Sequence, residues 1–256
     1  MDDPLITNNF IKKVINFRKK SIIGIAKAKG DRTKTFNKSK IEYLFCLFWI
    51  LGPTVFFRNV IYSIIFNLDN LIANLFRGYS RDSIMHFSLE NNIPAYEVED
   101  VNSQDFIRIL EGLSPDIIIN QSQQILKKEL IRIPKIGVLN RHNSLLPRHR
   151  GRITPFWVLL NRDYKTGVSI HFVGEEIDEG PVVFQFSYPV NKRNFNELVK
   201  TNYQIAPLAM VRALEIIEKG EEYTIPITSE SNYNSTPVFN DLVKFLKIRY
   251  GKRFYT

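Results

Sequence analysis

Asn140 and His142 stand two residues apart where a short apolar run over 137–140 ends, and an acidic loop downstream carries Asp178 within Ile177-Asp178-Glu179-Gly180-Pro181. In an extended chain alternate side chains share one face, so an amide and an imidazole are offered side by side. An amide N–H can meet an oxygen that gains charge, an imidazole can give or take a proton near neutral pH, and a carboxylate can act as base or orient the imidazole. Each residue also has a structural use: Asn140 can end a strand and His142 can be a satisfied buried histidine. The basic group Arg141, Arg148, His149, Arg150 and Arg152 surrounds them and suits either an anionic ligand or a solvated surface. No metal site is expected, because the histidines and carboxylates lack close, ligand-like spacing. His171, alternating with Ile170 and Phe172, reads as a structural histidine, and no partner for His86 or His149 can be picked out from the sequence.

The segment is more specific as a whole. Gly137 to Gly151 contains Asn140-Arg141-His142, then Ser144-Leu145-Leu146-Pro147, then Arg150-Gly151, and Thr166-Gly167-Val168-Ser169-Ile170-His171-Phe172-Val173 leads into Asp178-Glu179-Gly180-Pro181. In this order the motifs resemble the folate-dependent formyltransferase superfamily, firmly over 116–190 and weakly on the flanks. The resemblance implies transfer of a formyl group from 10-formyltetrahydrofolate to an amine. It implies Asn140 and His142 as stabilisers of a developing oxyanion, with Asp178, paired to His142, as the base. The family's folate lies near loops matching Asn120, Gln121 and Gln124, the run Ser144, Leu145, Leu146 and Pro147, and the stretch from Glu175 through Ile177 to Gly180. Gln121-Ser122-Gln123 departs from the small and aromatic residues of better-known members. Arg148, Arg150, Gly151 and Arg152 are the expected acceptor-binding stretch, with Gly151 free to take a backbone conformation closed to other residues.

These motifs need elements to position them. The first half alternates helices and short apolar runs, the signature of a parallel sheet covered by crossover helices. Helices are predicted over 6–20, 41–51, 54–76, 103–113, 124–131 and 194–219, and strands over 21–28, 117–119 and 137–140, with two apolar stretches at 167–173 and 181–190 flanking the acidic loop. The predicted fold is α/β: a Rossmann-like open, mostly parallel sheet with flanking helices. A catalytic domain is expected over 1–219, followed by a short irregular extension over 220–256. Relatives place a strand first, whereas this chain opens with Asp2-Asp3-Pro4 and a helix. The expectation is that the first strand is missing, which predicts an apolar groove beside the 22–28 strand.

A hydrophobic share of 44% against 24% charged residues is that of a globular chain rather than a disordered one. The lone Cys46 excludes an intramolecular disulfide, and the acidic opening is unlike a secretory signal; both point to the cytoplasm. The stretch 43–57 lacks charge but is too short to span a bilayer and is broken at Gly52-Pro53. It is expected to pack on the sheet, or else to expose Phe45, Phe48, Trp49, Phe56 and Phe57 to a membrane surface or partner. A net charge of +9 suits an anionic ligand without choosing it.

The acceptor is read by elimination. The chain after Lys219 is too short for the tRNA-gripping barrel of methionyl-tRNA formyltransferases, and the 41–76 insertion is foreign to glycinamide ribonucleotide enzymes. The resemblance is therefore strongest to sugar-nucleotide N-formyltransferases of bacterial surface polysaccharide synthesis. The expected partner is a nucleotide-linked amino sugar, with no nucleic acid and with a homodimer left open. Its diphosphate would meet Arg148, Arg150 and Arg152, with Tyr233, Phe239, Tyr250, Phe254, Lys252 and Arg253 of the tail as further contacts. Alternatives are a methionyl-tRNA-type activity, a formyltetrahydrofolate hydrolase, or an idle binding relative.

Overall fold

A computed structural model describes residues 7–29, 40–76, 78–174, 176–191, 193–223 and 232–251. The chain runs α1 (Thr7–Arg18), a 3₁₀ turn, β1 (Ile25–Ala28), α2 (Lys40–Leu51), α3 (Pro53–Phe76), α4 (Ile84–Glu90), β2 (Ala95–Val98) and α5 (Gln104–Leu113). It continues with β3 (Ile117–Asn120), α6 (Lys128–Ile131), β4 (Gly137–His142), β5 (Arg150–Gly151), α7 (Thr154–Leu160), β6 (Lys165–Phe172) and β7 (Val182–Pro189). The last elements are α8 (Phe195–Lys219), β8 (Tyr233–Asn234) and α9 (Phe239–Gly251). Helices and parallel pairs alternate as the sequence predicts, and the α/β class stands.

Three of the five strand pairs among the described residues are parallel, and the others form an antiparallel half. Strands β1 and β2 pair in parallel, β3 and β4 do the same, and β6 runs antiparallel to both β4 and β7. Only an acidic loop joins β6 to β7, and a connection that short can make a hairpin but not a parallel crossover. Among the described residues β1–β2 and β3–β4–β6–β7 are separate sheets, and the expected groove lies between them, lined by Ile25, Ile117, Phe10 and Leu110 among others.

The core sits where α1 and α8 cover the antiparallel half: Phe10, Val14, Leu139, Val168, Ile170 and Met210 pack together. Helix α8 begins with a reciprocal cap, Asn194 accepting from the Glu197 N–H while the Glu197 side chain accepts from the Asn194 N–H. The predicted 124–131 helix shortens to α6. Asn120 Oδ1 accepts from Ser122 N and Ser122 Oγ from Gln124 N, local side-chain bonds that compete with helix formation.

The 41–76 region departs from the expected packing on the sheet. Cys46 and Ile50 of α2 are buried against Phe156, Phe195, Leu242 and Phe245 of α7, α8 and α9. By contrast α3 leaves Ile61, Leu68, Leu71 and Leu75 exposed, and 53–73 is long and apolar enough to cross a membrane by length and composition. The C-terminal extension is less irregular than predicted: β8 pairs with β5, and α9 packs on α2 and α7. Lys252, Arg253, Phe254 and the side chain of Tyr250 lie outside the described residues.

Candidate active site

The carboxyl end of β4 delivers Asn140, Arg141 and His142 to a cleft of about 1490 Å³, whose other walls include α1, α2, α3 and α8. Asp178 enters from the loop after β6, in a left-handed backbone conformation with φ 55°. Such a conformation costs about 1–3 kcal/mol and persists where the surroundings enforce it. Here Gly151 N donates to Asp178 Oδ2 at 2.9 Å. Gly151 itself has φ 96°, and a Cβ on it would lie 2.2 Å from the Asn234 carbonyl oxygen, so no larger residue fits.

The hydrogen bonds fix which ring nitrogens carry protons. His142 Nε2 lies 2.8 Å from the His149 carbonyl oxygen, which can only accept, so Nε2 holds the proton and Nδ1 faces Asp178 Oδ2 at 3.4 Å. By the same reasoning His171 Nδ1 donates to the Phe172 carbonyl at 2.8 Å. His171 Nε2, buried and without a hydrogen bond, then faces Asp178 Oδ1 at 3.6 Å. Two imidazoles thus turn their bare nitrogens toward one carboxylate, an arrangement suited to holding and moving a single proton. Burial holds His142 below the ordinary imidazole range, against the pull of Asp178 toward the charged form. Burial, reinforced by His142, lowers His171 to about 4.

His171, read as a structural histidine with a hydrogen-bonded ring, is buried with its Nδ1 on the Phe172 carbonyl and also faces Asp178. The β4–β6 register sets it opposite Asn140, and the β6–β7 register shifts between Ile170 and His171, the kind of irregularity that re-aims a side chain. The only signal in the sequence was its place in the second motif, which says nothing of pairing. His149, with no partner foreseen, donates from Nε2 to Asp163 Oδ2 at 2.6 Å and accepts at Nδ1 from Asn234 Nδ2 at 3.2 Å. That pair fixes the segment whose carbonyl orients His142. His86, also unassigned, pairs with Glu90 at 3.3 Å, one helical turn on.

The remaining expected site residues divide. Gln121 lines the cleft: its Nε2 donates to Asn140 Oδ1 at 3.5 Å, and Arg141 Nε donates to its Oε1 at 3.0 Å. Arg141 is itself held by Tyr203 and Asn143 and lies 4.2 Å over the Tyr203 ring. No described residue accepts from Asn140 Nδ2. Asn120 lies beside Gln121 and its Oδ1 caps a local turn. Gln124 is committed elsewhere, donating to the Lys29 and Glu99 carbonyls and accepting from Val101 N.

Ser144 Oγ donates to the Arg148 and His149 carbonyls, and Leu146 is buried with its N–H on Ser169 Oγ. The Leu145 carbonyl accepts from the Arg148 N–H, and neither Leu145 nor Pro147 lines the cleft. Ile177 is about half exposed, and Gly180 passes so near the Phe172 carbonyl that a Cβ would lie 1.9 Å from it. Arg150 is ion-paired with Glu179, Arg148 lies 3.8 Å from Asp163, and Arg152 N donates to the Asn234 carbonyl. None of these three arginines lines the cleft; Lys13, Arg58 and Lys200 do, from α1, α3 and α8. Cations brought from distant helices carry no mark in the local sequence.

A family model described as formyl transferase matches residues 74–213, more than half of the chain, and the protein belongs to that family. It is 30% identical over 159 residues to methionyl-tRNA formyltransferase of Clostridioides difficile, covering 61% of this chain and 51% of that one. The chain thus spans about half the length of this curated relative. Glycinamide ribonucleotide transformylase 1 from Symbiobacterium toebii shares the fold at 13% identity and a TM-score of 0.55, over 90% of this chain and 89% of its own. A likely sugar N-formyltransferase from Mycobacterium tuberculosis is similar at 15% identity and a TM-score of 0.50, over 64% and 80%.

Proposed function

We propose that the chain transfers the formyl group of 10-formyltetrahydrofolate to the primary amine of a nucleotide-linked amino sugar in the cytoplasm. The observation that carries the reading is Asn140, His142 and Asp178 on one wall of a cleft of about 1490 Å³. Sites for one drug-sized ligand measure roughly 300–1,000 Å³, so this cleft has room for two substrates. The Asn140 Nδ2, without an acceptor among the described residues, fits a carbonyl-bearing co-substrate.

When bound, formyltetrahydrofolate supplies an activated formyl carbon and a nitrogen leaving group. Asn140 Nδ2 donates to the oxygen that gains charge as the amine attacks. His142 has its Nε2 proton on the His149 carbonyl, so it acts with Asp178 on the proton rather than as a second oxyanion donor. This replaces the expected Asn140–His142 donor pair. Neutral at pH 7 through burial, His142 can accept a proton at Nδ1, with Asp178 beside it to stabilise the charge. The proton lost by the amine is held there and can be returned to the folate nitrogen as its bond to the formyl carbon breaks, so that tetrahydrofolate departs neutral at that nitrogen.

Lys13, Arg58 and Lys200 support the acceptor assignment, being cleft cations without carboxylate partners among the described residues. A diphosphate needs such charges, and each charge-assisted contact contributes roughly 1.5–3 kcal/mol. Tetrahydrofolate release, measured with and without candidate amines, tests the reading. Release that requires a nucleotide-linked amino sugar is expected, and neutralising Lys13, Arg58 or Lys200 should raise KM for the sugar nucleotide far more than for the folate. Equal release without any amine indicates a hydrolase, and activity on charged methionyl-tRNA gives a different acceptor.

A further inference from the structure

An amide side chain has an oxygen end and a nitrogen end of nearly the same shape, so hydrogen bonds rather than packing decide which of them Asn140 presents to the cleft. Among the described residues one hydrogen bond reaches that side chain, at 3.5 Å from Gln121 Nε2 to Asn140 Oδ1. Strands β3 and β4 run parallel with Asn120 beside Asn140, so Gln121, one residue on, stands against the end of β4. The orientation of the Gln121 amide is itself forced. Its Oε1 lies 3.0 Å from Arg141 Nε, which can only donate, and its Nε2 lies 2.5 Å from the Asn120 carbonyl oxygen, which can only accept. Turned over, it would set donor against donor and acceptor against acceptor.

Arg141 is fixed in turn. Its Nη1 donates to Asn143 Oδ1 at 3.1 Å and its Nη2 to the Tyr203 hydroxyl at 3.2 Å. The guanidinium also lies over the rings of Tyr203 and Phe10, 4.2 and 5.1 Å from their centres. A planar fork stacked on aromatic faces, with each of its three nitrogens donating, has little freedom to rotate. Its Nε–H therefore stays aimed at Gln121 Oε1.

Given the reading of Asn140 as the oxyanion donor, we infer that Gln121, locked by Arg141 and the Asn120 carbonyl, is the positioning residue that sets which end of the Asn140 amide meets the substrate. The Gln121 N–H holds Asn140 Oδ1 on its own side, which leaves Nδ2 on the other for the formyl oxygen as it gains charge. Turned the other way, the amide would offer an oxygen to that charge, and repulsion would replace stabilisation. A small or apolar side chain at position 121 could form neither of the side-chain bonds that Gln121 makes to Asn140 and Arg141.

Gln121→Glu tests the assignment, because a carboxylate can accept from Arg141 and from Asn140 but donates to neither, and beside a guanidinium it stays ionised at neutral pH. Asn140 should then turn its nitrogen to the new carboxylate. Turnover, read as tetrahydrofolate release from 10-formyltetrahydrofolate with a nucleotide-linked amino sugar as acceptor, should fall about 100-fold, with KM for the folate within about threefold of its wild-type value. Gln121→Met neither donates nor accepts, leaves Asn140 free in both orientations, and should lower turnover only about twofold. A merely structural Gln121 predicts the reverse order, with Met the more damaging. Combined with Asn140→Ala, Gln121→Glu should cost nothing further, since no amide remains to be turned. In protein carrying isotope-labelled asparagine, the side-chain NH2 resonance of Asn140 should move downfield in Gln121→Glu as it donates to a charged acceptor. Turnover of Gln121→Glu within about threefold of wild type, a further loss on top of Asn140→Ala, or an unmoved resonance overturns the inference. Normal turnover in Asn140→Ala, or none in the wild-type chain, would instead defeat the catalytic reading, and the resonance then decides the orientation by itself.

Discussion

The 140–151 loop and the α2–α3 hairpin both contribute to the walls of one cleft, yet they are held by different means. In the loop buried polar groups hold one another: Asp163 fixes His149, the His149 carbonyl orients His142, and Asp178 meets His142, His171 and the Gly151 N–H. The hairpin relies on apolar contact, and only part of its apolar surface makes any. Cys46 and Ile50 anchor α2, while Leu68, Leu71 and Leu75 of α3 are 54%, 60% and 71% exposed. The contrast teaches where substitutions should matter. A linked set of buried polar groups transmits the loss of one member to the others, whereas an exposed apolar side chain has little to lose.

The largest effect is expected at the centre of the polar set. Asp178→Asn keeps the shape but removes the carboxylate proposed to work with His142 on the proton, and should lower turnover about 10³-fold or more with an unchanged circular dichroism spectrum. Near-normal turnover would remove Asp178 from the mechanism. Asn140→Ala deletes a single donor and should lower turnover about 10²–10³-fold, with little change in KM.

Stability should depend on pH through the same cluster. Burial holds His142 and His171 below the ordinary range, His171 at about 4, while in the unfolded chain both titrate near 6.5. Between about pH 6.5 and 4 the unfolded chain therefore binds more protons, and stability falls as pH falls. The expected slope is about 1.4 kcal/mol per pH unit for each imidazole still neutral in the fold. His171→Gln should flatten part of that slope, as read from urea midpoints at pH 7, 5.5 and 4.5. A wild-type profile flat across this window would show that the buried rings carry charge.

The smallest effect should come from the hairpin. Leu71→Lys and Leu75→Lys should move stability by no more than about 0.5 kcal/mol and leave turnover unchanged. A large loss from either would mean that the α3 face is covered in the working protein and would erase the contrast.

Much of the scaffold was legible from periodicity. The α5 and α8 helices, the break at Gly52-Pro53 and the β6–β7 apolar pair fall where the pattern placed them. The nearness of Asn140, His142 and Asp178 to one another was legible too, because they sit in motifs close along the chain. The phosphate candidates were chosen by nearness in sequence, whereas the cleft wall carries other cations: Arg150 turns to Glu179, while Lys13, Arg58 and Lys200 reach the cleft from three helices. The nearness of His171 to Asp178 was not legible for a related reason, since it depends on the β4–β6 register.

By itself the sequence determined the class of fold, the order of its elements and the side chains with the chemistry to react, because local periodicity and motif spacing are properties of neighbouring residues. Tertiary structure decided which nitrogens of His142 and His171 face Asp178 and which cations share the cleft. Those outcomes depend on hydrogen-bond partners and packing between segments far apart in the chain, and only folding brings such segments within reach of one another.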